Sequence, residues 1–86
     1  MKINEQAITE RFVSVFYELK RQSIVDTKRE FCEHILITPS NFIFLEKGER
    51  YCNIGQMCAL VNHWKVNPNW LMTGKGSMFY HPAYCG

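Results

Sequence analysis

Two signals for the start of a helix lie close together near the middle of this chain. Thr27 and Glu30 have the spacing of a capping box, in which the threonine hydroxyl accepts from the glutamate N–H and the carboxylate reaches back to the threonine N–H. Thr38 and Pro39 combine an N-cap residue with a proline at the first helical position, where a missing donor is harmless. The sequence therefore predicts two short helices joined by a brief turn, and such elements bury their apolar faces by packing helix on helix.

The rest of the chain also carries helical patterns, without the alternation of apolar and polar residues that is typical of strands. Five apolar residues recur on one face of the first segment: Ile8, Phe12, Val15, Phe16 and Leu19. In the fourth segment, the residues predicted to face inward are Ile54, Met57, Cys58, Val61 and Trp64. We predict an all-α domain of five helices over residues 5–22, 28–35, 39–47, 54–64 and 68–74. The domain is expected to span residues 1–79, followed by a C-terminal tail over residues 80–86.

The composition argues against several classes of protein. With 86 residues, 47% of them hydrophobic, the chain is long enough for one small core and too apolar to be disordered. Its longest apolar run, Phe42 to Leu45, is too short to span a membrane, and its polar N-terminus does not resemble a secretory signal. We therefore expect a cytoplasmic protein. The four cysteines lie in apolar helical patterns, so we expect core residues rather than disulfides.

The third predicted helix has an outer face suited to contact with DNA bases. The residues predicted to face outward are Ser40, Ile43, Phe44 and Lys47. Two short helices joined by a turn have the spacing of a helix-turn-helix, in which the second helix enters the major groove of DNA. Ser40 and the neighbouring Asn41 offer hydrogen bonds to base edges, with adenine the best partner for an asparagine. Ile43 and Phe44 offer apolar contact, for instance to a thymine methyl group.

Five short segments extend this pattern over most of the chain. They are residues 19–21 (LKR), 27–32 (TKREFC), 37–40 (ITPS), 45–48 (LEKG) and 66–76 (VNPNWLMTGKG). In order and spacing they resemble the Xre-type, phage-repressor-like family of helix-turn-helix transcriptional regulators, over roughly residues 8–79. The last segment is similar to the "V-x-P-x-W-L-L-T-G-x-G" ending of many such proteins.

The resemblance implies a lambda-repressor-like DNA-binding domain, with the helix-turn-helix in helices two and three and double-stranded DNA as the partner. It also implies that Arg21 pairs with Glu46 and so locks the first helix to the end of the third. The chain departs from the family at Leu36, in a turn position where glycine is usual. A leucine there must either adopt an unfavourable φ or force a different turn, at roughly 1 kcal/mol or more.

The predicted DNA contacts divide into two groups. Base contacts are expected from Ser40, Asn41, Ile43 and Phe44. Phosphate contacts, at or near the ends of the two central helices, are expected from Thr27, Lys28, Arg29, Lys47 and Arg50. The alternative interpretation of these cations is a solvated surface, because Glu30, Glu33 and Glu49 lie among them.

Apolar residues near the C-terminus predict a homodimer. One recognition helix covers only a few base pairs, and specific binding by this motif usually uses two helices one DNA turn apart. No acidic residue follows Arg50, so two copies can meet there at little electrostatic cost. The residues predicted to form the interface are Trp70, Met78, Phe79, Tyr80 and Tyr84. The alternative left open is that they fold back on the core of their own chain.

Nothing in the sequence predicts catalysis, a cofactor or a metal site. The cysteines and histidines do not have the spacing of zinc ligands, and no residue set resembles a nucleophile with its base. We expect no enzymatic activity, no small-molecule cofactor and no membrane partner. The predicted function is sequence-specific transcriptional regulation, most simply by a repressor that occludes a promoter as a dimer. The competing prediction is a protein-interaction module on the same fold, such as an antitoxin-like or anti-regulator subunit with weak or no DNA binding.

Overall fold

Five helices account for the regular secondary structure in the computed structural model, which describes residues 4–79. They are α1 (Glu5–Arg21), α2 (Lys28–His34), α3 (Pro39–Glu46), α4 (Ile54–Trp64) and α5 (Pro68–Thr73). The prediction of an all-α fold is confirmed, and each helix ends within one residue of the predicted boundary. Over the described residues, none of these helices combines the length and apolarity needed to cross a bilayer.

Side-chain caps mark the start of every one of these helices. Thr27 accepts from the backbone N–H of Glu30, and Thr38 accepts from that of Asn41, both at 3.1 Å. The capping box predicted at Thr27 is half formed, because the Glu30 carboxylate accepts from the N–H of Asp26 at 3.3 Å. Capping is local in sequence, so the helix boundaries could be predicted from short patterns.

Phenylalanine rings from three helices form the centre of the core. Phe16 of α1, Phe31 of α2 and Phe42 of α3 are buried, with pairwise centroid distances of 5.3, 5.6 and 5.5 Å. The indole of Trp64, at the end of α4, stacks on Phe31 at 6.3 Å. All five residues of the predicted α1 stripe are buried, and α1 packs against both α3 and α5.

The predicted inner face of α4 is wrong in part. Leu60 and Trp64 are buried, whereas Ile54 is 74% exposed and Cys58 is exposed. The half-buried members of the predicted face are Met57 and Val61. Because α4 is apolar around much of its circumference, periodicity alone does not decide which side is buried. The stacking of Trp64 on Phe31 turns the Leu60 side of the helix inward instead.

After α5 the chain returns to the core. The backbone N–H of Asn67 donates to the carbonyl of Met78 at 2.8 Å, and Val66 pairs antiparallel with Phe79. The Phe79 side chain is buried in the core cluster. Its predicted role in a dimer interface is therefore wrong, because the ring is covered by its own chain.

The other predicted dimer residues are either partly buried or outside the described residues. Trp70 and Met78 are partly buried and pack against the same core, which agrees with the alternative that these residues fold back on their own chain. Tyr80 and Tyr84 lie outside the described residues. Within residues 4–79 the predicted interface residues thus supply no exposed aromatic patch, and the part of the prediction that falls on Tyr80 and Tyr84 stays a prediction.

The turn between α2 and α3 contains a strained residue. Leu36 has a φ of +57° and is 91% exposed. Of the two outcomes predicted for a leucine at this position, the chain adopts the unfavourable φ. Ile35 and Ile37 on either side are buried, and their burial holds the turn in place.

Candidate nucleic-acid interface

The outer side of α3 carries the four residues predicted to contact bases. Ser40 and Ile43 are exposed, and Asn41 and Phe44 are half-buried. Within α3 the only ionisable side chain is that of Glu46, at the C-terminal end. The solvent side of the helix therefore offers a hydroxyl, an amide and two apolar groups.

Arg50 organises this surface from the loop that follows α3. Its guanidinium carbon lies 4.4 Å from the centroid of the Phe44 ring, where the ring quadrupole favours a cation. Its Nη1 donates to Oδ1 of Asn41 at 3.0 Å. Arg50 was predicted as a phosphate contact, and the structure places it beside two predicted base contacts. One predicted phosphate contact and two predicted base contacts thus form one cluster of Arg50, Asn41 and Phe44.

Glu46 connects three helices. Its Oε1 lies 2.7 Å from Nζ of Lys28 at the start of α2, and its Oε2 accepts a hydrogen bond from the hydroxyl of Tyr17 in α1. Burial raises the pKa of the Glu46 carboxyl, but hydrogen bonds from Lys28 and Tyr17, together with the charge of Lys28, outweigh burial and hold that pKa below its ordinary value. The bond to Glu46 also raises the pKa of the Lys28 ammonium.

The predicted pair between Arg21 and Glu46 is wrong. Arg21 is the last residue of α1, and its exposed side chain pairs with Glu18 of the same helix. Hydrogen bonds from Arg21 and then Gln22 lower the pKa of the Glu18 carboxyl to about 2. Tyr17, one turn before Arg21, supplies the link from α1 to Glu46 instead. The (i, i+4) spacing of these two residues is the sequence signal that could have identified Tyr17.

Two of the predicted phosphate contacts are engaged within the fold. The Thr27 hydroxyl caps its own helix, and Lys28 is paired as described above. Arg29 and Lys47 are exposed, at the start of α2 and just after α3. Arg29 lies 3.4 Å from Glu33, a pair of exposed side chains on one helix that water screens. Arg29 and Lys47 are therefore the more accessible of these cations.

The cysteines are only partly core residues. Cys32 is buried, and burial raises the pKa of its thiol to about 11. Cys52 is half-buried and accepts a hydrogen bond from Thr9 at 3.6 Å. Cys58 is exposed, against the prediction, and Cys85 lies outside the described residues. All three described cysteines are free thiols.

Two of the histidines, His34 and His63, form a small cluster on the surface, and His81 lies outside the described residues. The rings of His34 and His63 stack with their centroids 4.3 Å apart, and His63 meets the edge of the Trp64 ring. Over residues 4–79, no group of three or more His, Cys, Asp or Glu side chains is placed to hold a metal ion. The hydrogen-bonding and charged side chains suited to a ligand lie instead on α3 and at Arg50.

Comparison with protein-family models, curated proteins and solved structures finds no match to this chain. A functional interpretation therefore depends on the geometry of α3 and its neighbours. Ser40 and Asn41 offer hydrogen-bonding groups, Arg50 lies beside Asn41, and Arg29 and Lys47 are exposed cations at the start of α2 and just after α3. These groups can bind an anionic, hydrogen-bonding surface.

Proposed function

We propose that this protein is a sequence-specific binder of double-stranded DNA. In this proposal α2 and α3 form the helix-turn-helix of a lambda-repressor-like domain, and α3 enters the major groove. The observation that carries the proposal is the Arg50 guanidinium, held over Phe44 and bonded to Asn41 on the solvent side of α3. This arrangement places a cation, an amide and an aromatic edge at the surface that would meet base edges and phosphates.

Asn41 is the residue best suited to read a base. A carboxamide binds adenine through two hydrogen bonds, accepting from N6 and donating to N7. Arg50 occupies one lone pair of Oδ1, so a second lone pair and the Nδ2 donors remain for DNA. The Arg50 bond also orients the amide before DNA arrives, which reduces the entropy lost on binding. Exposed Ser40 adds a second hydrogen-bonding group.

The electrostatics of α3 suit an approach to phosphates. Its one carboxylate, Glu46, is paired with Lys28 and is turned away from solvent. Arg29 and Lys47 lie at the ends of the two central helices, where a helix-turn-helix meets the DNA backbone. Together with Arg50 they would supply contacts that set affinity and orientation, whereas Asn41 would supply sequence preference.

The proposed regulatory mechanism is steric. A repressor of this kind occupies its operator and excludes other proteins from the promoter, and it needs no catalytic group or cofactor. Two copies with their α3 helices one DNA turn apart, about 34 Å, would read the two halves of a palindromic site.

Titration of a random-sequence duplex at two salt concentrations tests the proposal. Three phosphate contacts per chain, from Arg29, Lys47 and Arg50, predict that affinity falls about 40-fold between about 50 and 200 mM monovalent salt. Lys47→Glu should weaken binding further, whereas Lys75→Glu is a control with the same charge change after α5. Absence of binding at the lower salt concentration, or an equal effect of both substitutions, would contradict DNA binding.

A protein-interaction module on the same fold is the second candidate. The observation that favours it is the exposure of two large apolar side chains, Leu36 in the turn before α3 and Ile43 within α3. Phe44 is covered on one face by Arg50, and Phe79 is buried, so within residues 4–79 the α3 surface does not continue into an apolar patch at Phe79. A chain that fails to bind DNA at low salt would leave this candidate as the better one.

A further inference from the structure

The guanidinium of Arg50 is held against one face of α3 by two contacts. Its carbon lies 4.4 Å from the centroid of the Phe44 ring, and its Nη1 donates to Oδ1 of Asn41 at 3.0 Å. Asn41 and Phe44 are three positions apart, so they are neighbours on the same face of the helix. A residue of the loop after α3 thus places its cation among the groups predicted to contact bases.

Most of the hydrogen-bonding capacity of Arg50 remains for a ligand. A guanidinium has five N–H donors in one plane, and the bond to Asn41 uses one of them. No salt bridge within residues 4–79 involves Arg50, although Glu49 precedes it in the sequence, and Arg50 is exposed. A guanidinium that is held in place and has no carboxylate partner is suited to bind a pair of acceptors.

Lys47 provides a comparison for Arg50. It is exposed at the same end of α3, but within the described residues no side-chain hydrogen bond or salt bridge holds its ammonium. A lysine that is not held in place loses more rotamer freedom when it binds, and its ammonium is a point charge without the forked geometry of a guanidinium. Lys47 therefore suits a phosphate, whereas Arg50 also suits a base edge.

The bonded groups of Arg50 and Asn41 match the spacing of stacked bases. They lie 3.0 Å apart, and successive bases of a duplex are about 3.4 Å apart along its axis. In the major groove, guanine presents the acceptors O6 and N7, which a guanidinium binds through two N–H groups. Adenine presents one donor and one acceptor, which suit the amide of Asn41. The two side chains can therefore bind neighbouring base pairs while they stay bonded to each other.

We propose that Arg50 binds a guanine directly beside the adenine bound by Asn41, so that the preferred DNA site contains adjacent A·T and G·C pairs. This inference rests on the proposed function and names the sequence that the same surface selects. On DNA that lacks this pair of bases, Arg50 contacts a phosphate, as expected for a random-sequence duplex. On the preferred site it binds the base instead, and the phosphate contacts of each chain fall from three to two.

Selection of duplexes from a random-sequence pool by the full chain, followed by sequencing, tests the proposed site. The wild type should enrich adjacent adenine and guanine. Arg50→Ala should keep the adenine and lose the guanine, whereas Lys47→Ala should keep both. Both substitutions remove one exposed cation outside the helices, so both variants should keep the circular dichroism spectrum and melting behaviour of the wild type.

Fluorescence anisotropy with the selected duplex, and with the same duplex carrying A·T in place of the G·C pair, measures the preference for guanine. For the wild type and Lys47→Ala, the two affinities should differ by about 5- to 150-fold, the range expected for a bidentate contact to a base. For Arg50→Ala they should be nearly equal. On a random-sequence duplex the two variants should lose the same factor, because each lacks one phosphate contact.

Salt dependence provides an independent measurement of the move of Arg50 from phosphate to base. Between about 50 and 200 mM monovalent salt, affinity for the selected duplex should fall about 12-fold, against about 40-fold for a random one. Equal salt dependence, a selected site without adjacent adenine and guanine, or an Arg50→Ala chain that keeps the preference for guanine would overturn this inference and leave DNA binding intact. A chain that binds no duplex would overturn the proposed function and this inference together.

Discussion

Nζ of Lys28, the first residue of α2, lies 2.7 Å from Oε1 of Glu46, the last residue of α3. The hydroxyl of Tyr17 in α1 binds the other oxygen of the same carboxylate. The half-buried Glu46 side chain thus links α2 and α3, the two helices of the proposed helix-turn-helix, to α1. The pair contributes to the position of α3, on which any contact with a groove depends.

Replacing Glu46 with alanine is expected to lower the free energy of unfolding by about 1–2 kcal/mol, because it leaves Lys28 and Tyr17 without this acceptor. The Lys28 side chain is 42% exposed, so water limits the loss to less than that of a fully buried pair. Urea unfolding followed by circular dichroism measures the change. Glu49→Ala, at an exposed acid in the following loop, should shift stability by less than about 0.5 kcal/mol. A similar loss in both variants would contradict the assigned role of Glu46.

Leu36→Gly is expected to raise the free energy of unfolding by about 0.5–1 kcal/mol. Glycine adopts the φ of +57° without the steric cost that leucine bears, and the exposed leucine contributes little buried surface. Added freedom in the unfolded chain offsets part of the gain. Leu36→Ala keeps the Cβ and should gain much less, so a thermal melt of both variants separates backbone strain from loss of an apolar surface residue.

Asn41→Ala is expected to weaken binding to a site selected from random DNA by about 1–3 kcal/mol, while binding to non-specific DNA changes little. Lys47→Ala should weaken binding to both kinds of DNA by the same factor, because a phosphate contact carries no sequence information. Fluorescence anisotropy with a selected and a scrambled duplex compares the two variants. Equal losses on both duplexes for Asn41→Ala would remove it from the residues that read bases.

Acidification below about pH 6.5 is expected to destabilise the fold through His63. Burial, and then the charge of His34, lower the pKa of His63 from its ordinary value of 6.5. The folded state therefore binds this proton less readily than the unfolded state does. The contribution of His63 to stability is complete above the unfolded pKa and is lost as the pH falls toward the folded pKa. Thermal melts at about pH 7.5 and 5.5 should show a smaller drop for His63→Gln than for the wild type. Identical drops would contradict this assignment.

Local chemistry made much of the fold predictable from the sequence. Thr27, Thr38 and Asn53 cap helices through bonds to residues three positions away, so short patterns mark where helices begin. The stripe on α1 was also predictable, because its opposite face is polar and the choice of the buried side is unambiguous. For Leu36 the sequence left two outcomes open, an unfavourable φ or a different turn, and the structure has the unfavourable φ.

The interhelical contacts could not be predicted in the same way. The partner of Glu46 depends on which side chains of α1 and α2 reach the end of α3, and Tyr17 and Lys28 reach it where Arg21 does not. The link between Arg50 and Asn41 likewise depends on the path of the loop after α3. The spacing of Tyr17 and Arg21 places both on one face of α1, but which of the two reaches Glu46 depends on how α1 packs against α3.

The sequence by itself determined the five helices, their boundaries and the inner face of α1, because capping bonds and amphipathic periodicity act within a few residues. Only the tertiary structure decided which side of α4 is buried and where Phe79 lies. On a helix that is apolar around much of its circumference, more than one face is apolar enough to pack against the core. The stacking of Trp64 on Phe31 determines which face is buried and leaves Ile54 in solvent. Which face of such a helix is buried depends on how all the helices pack together, so it cannot be predicted from a short stretch of sequence.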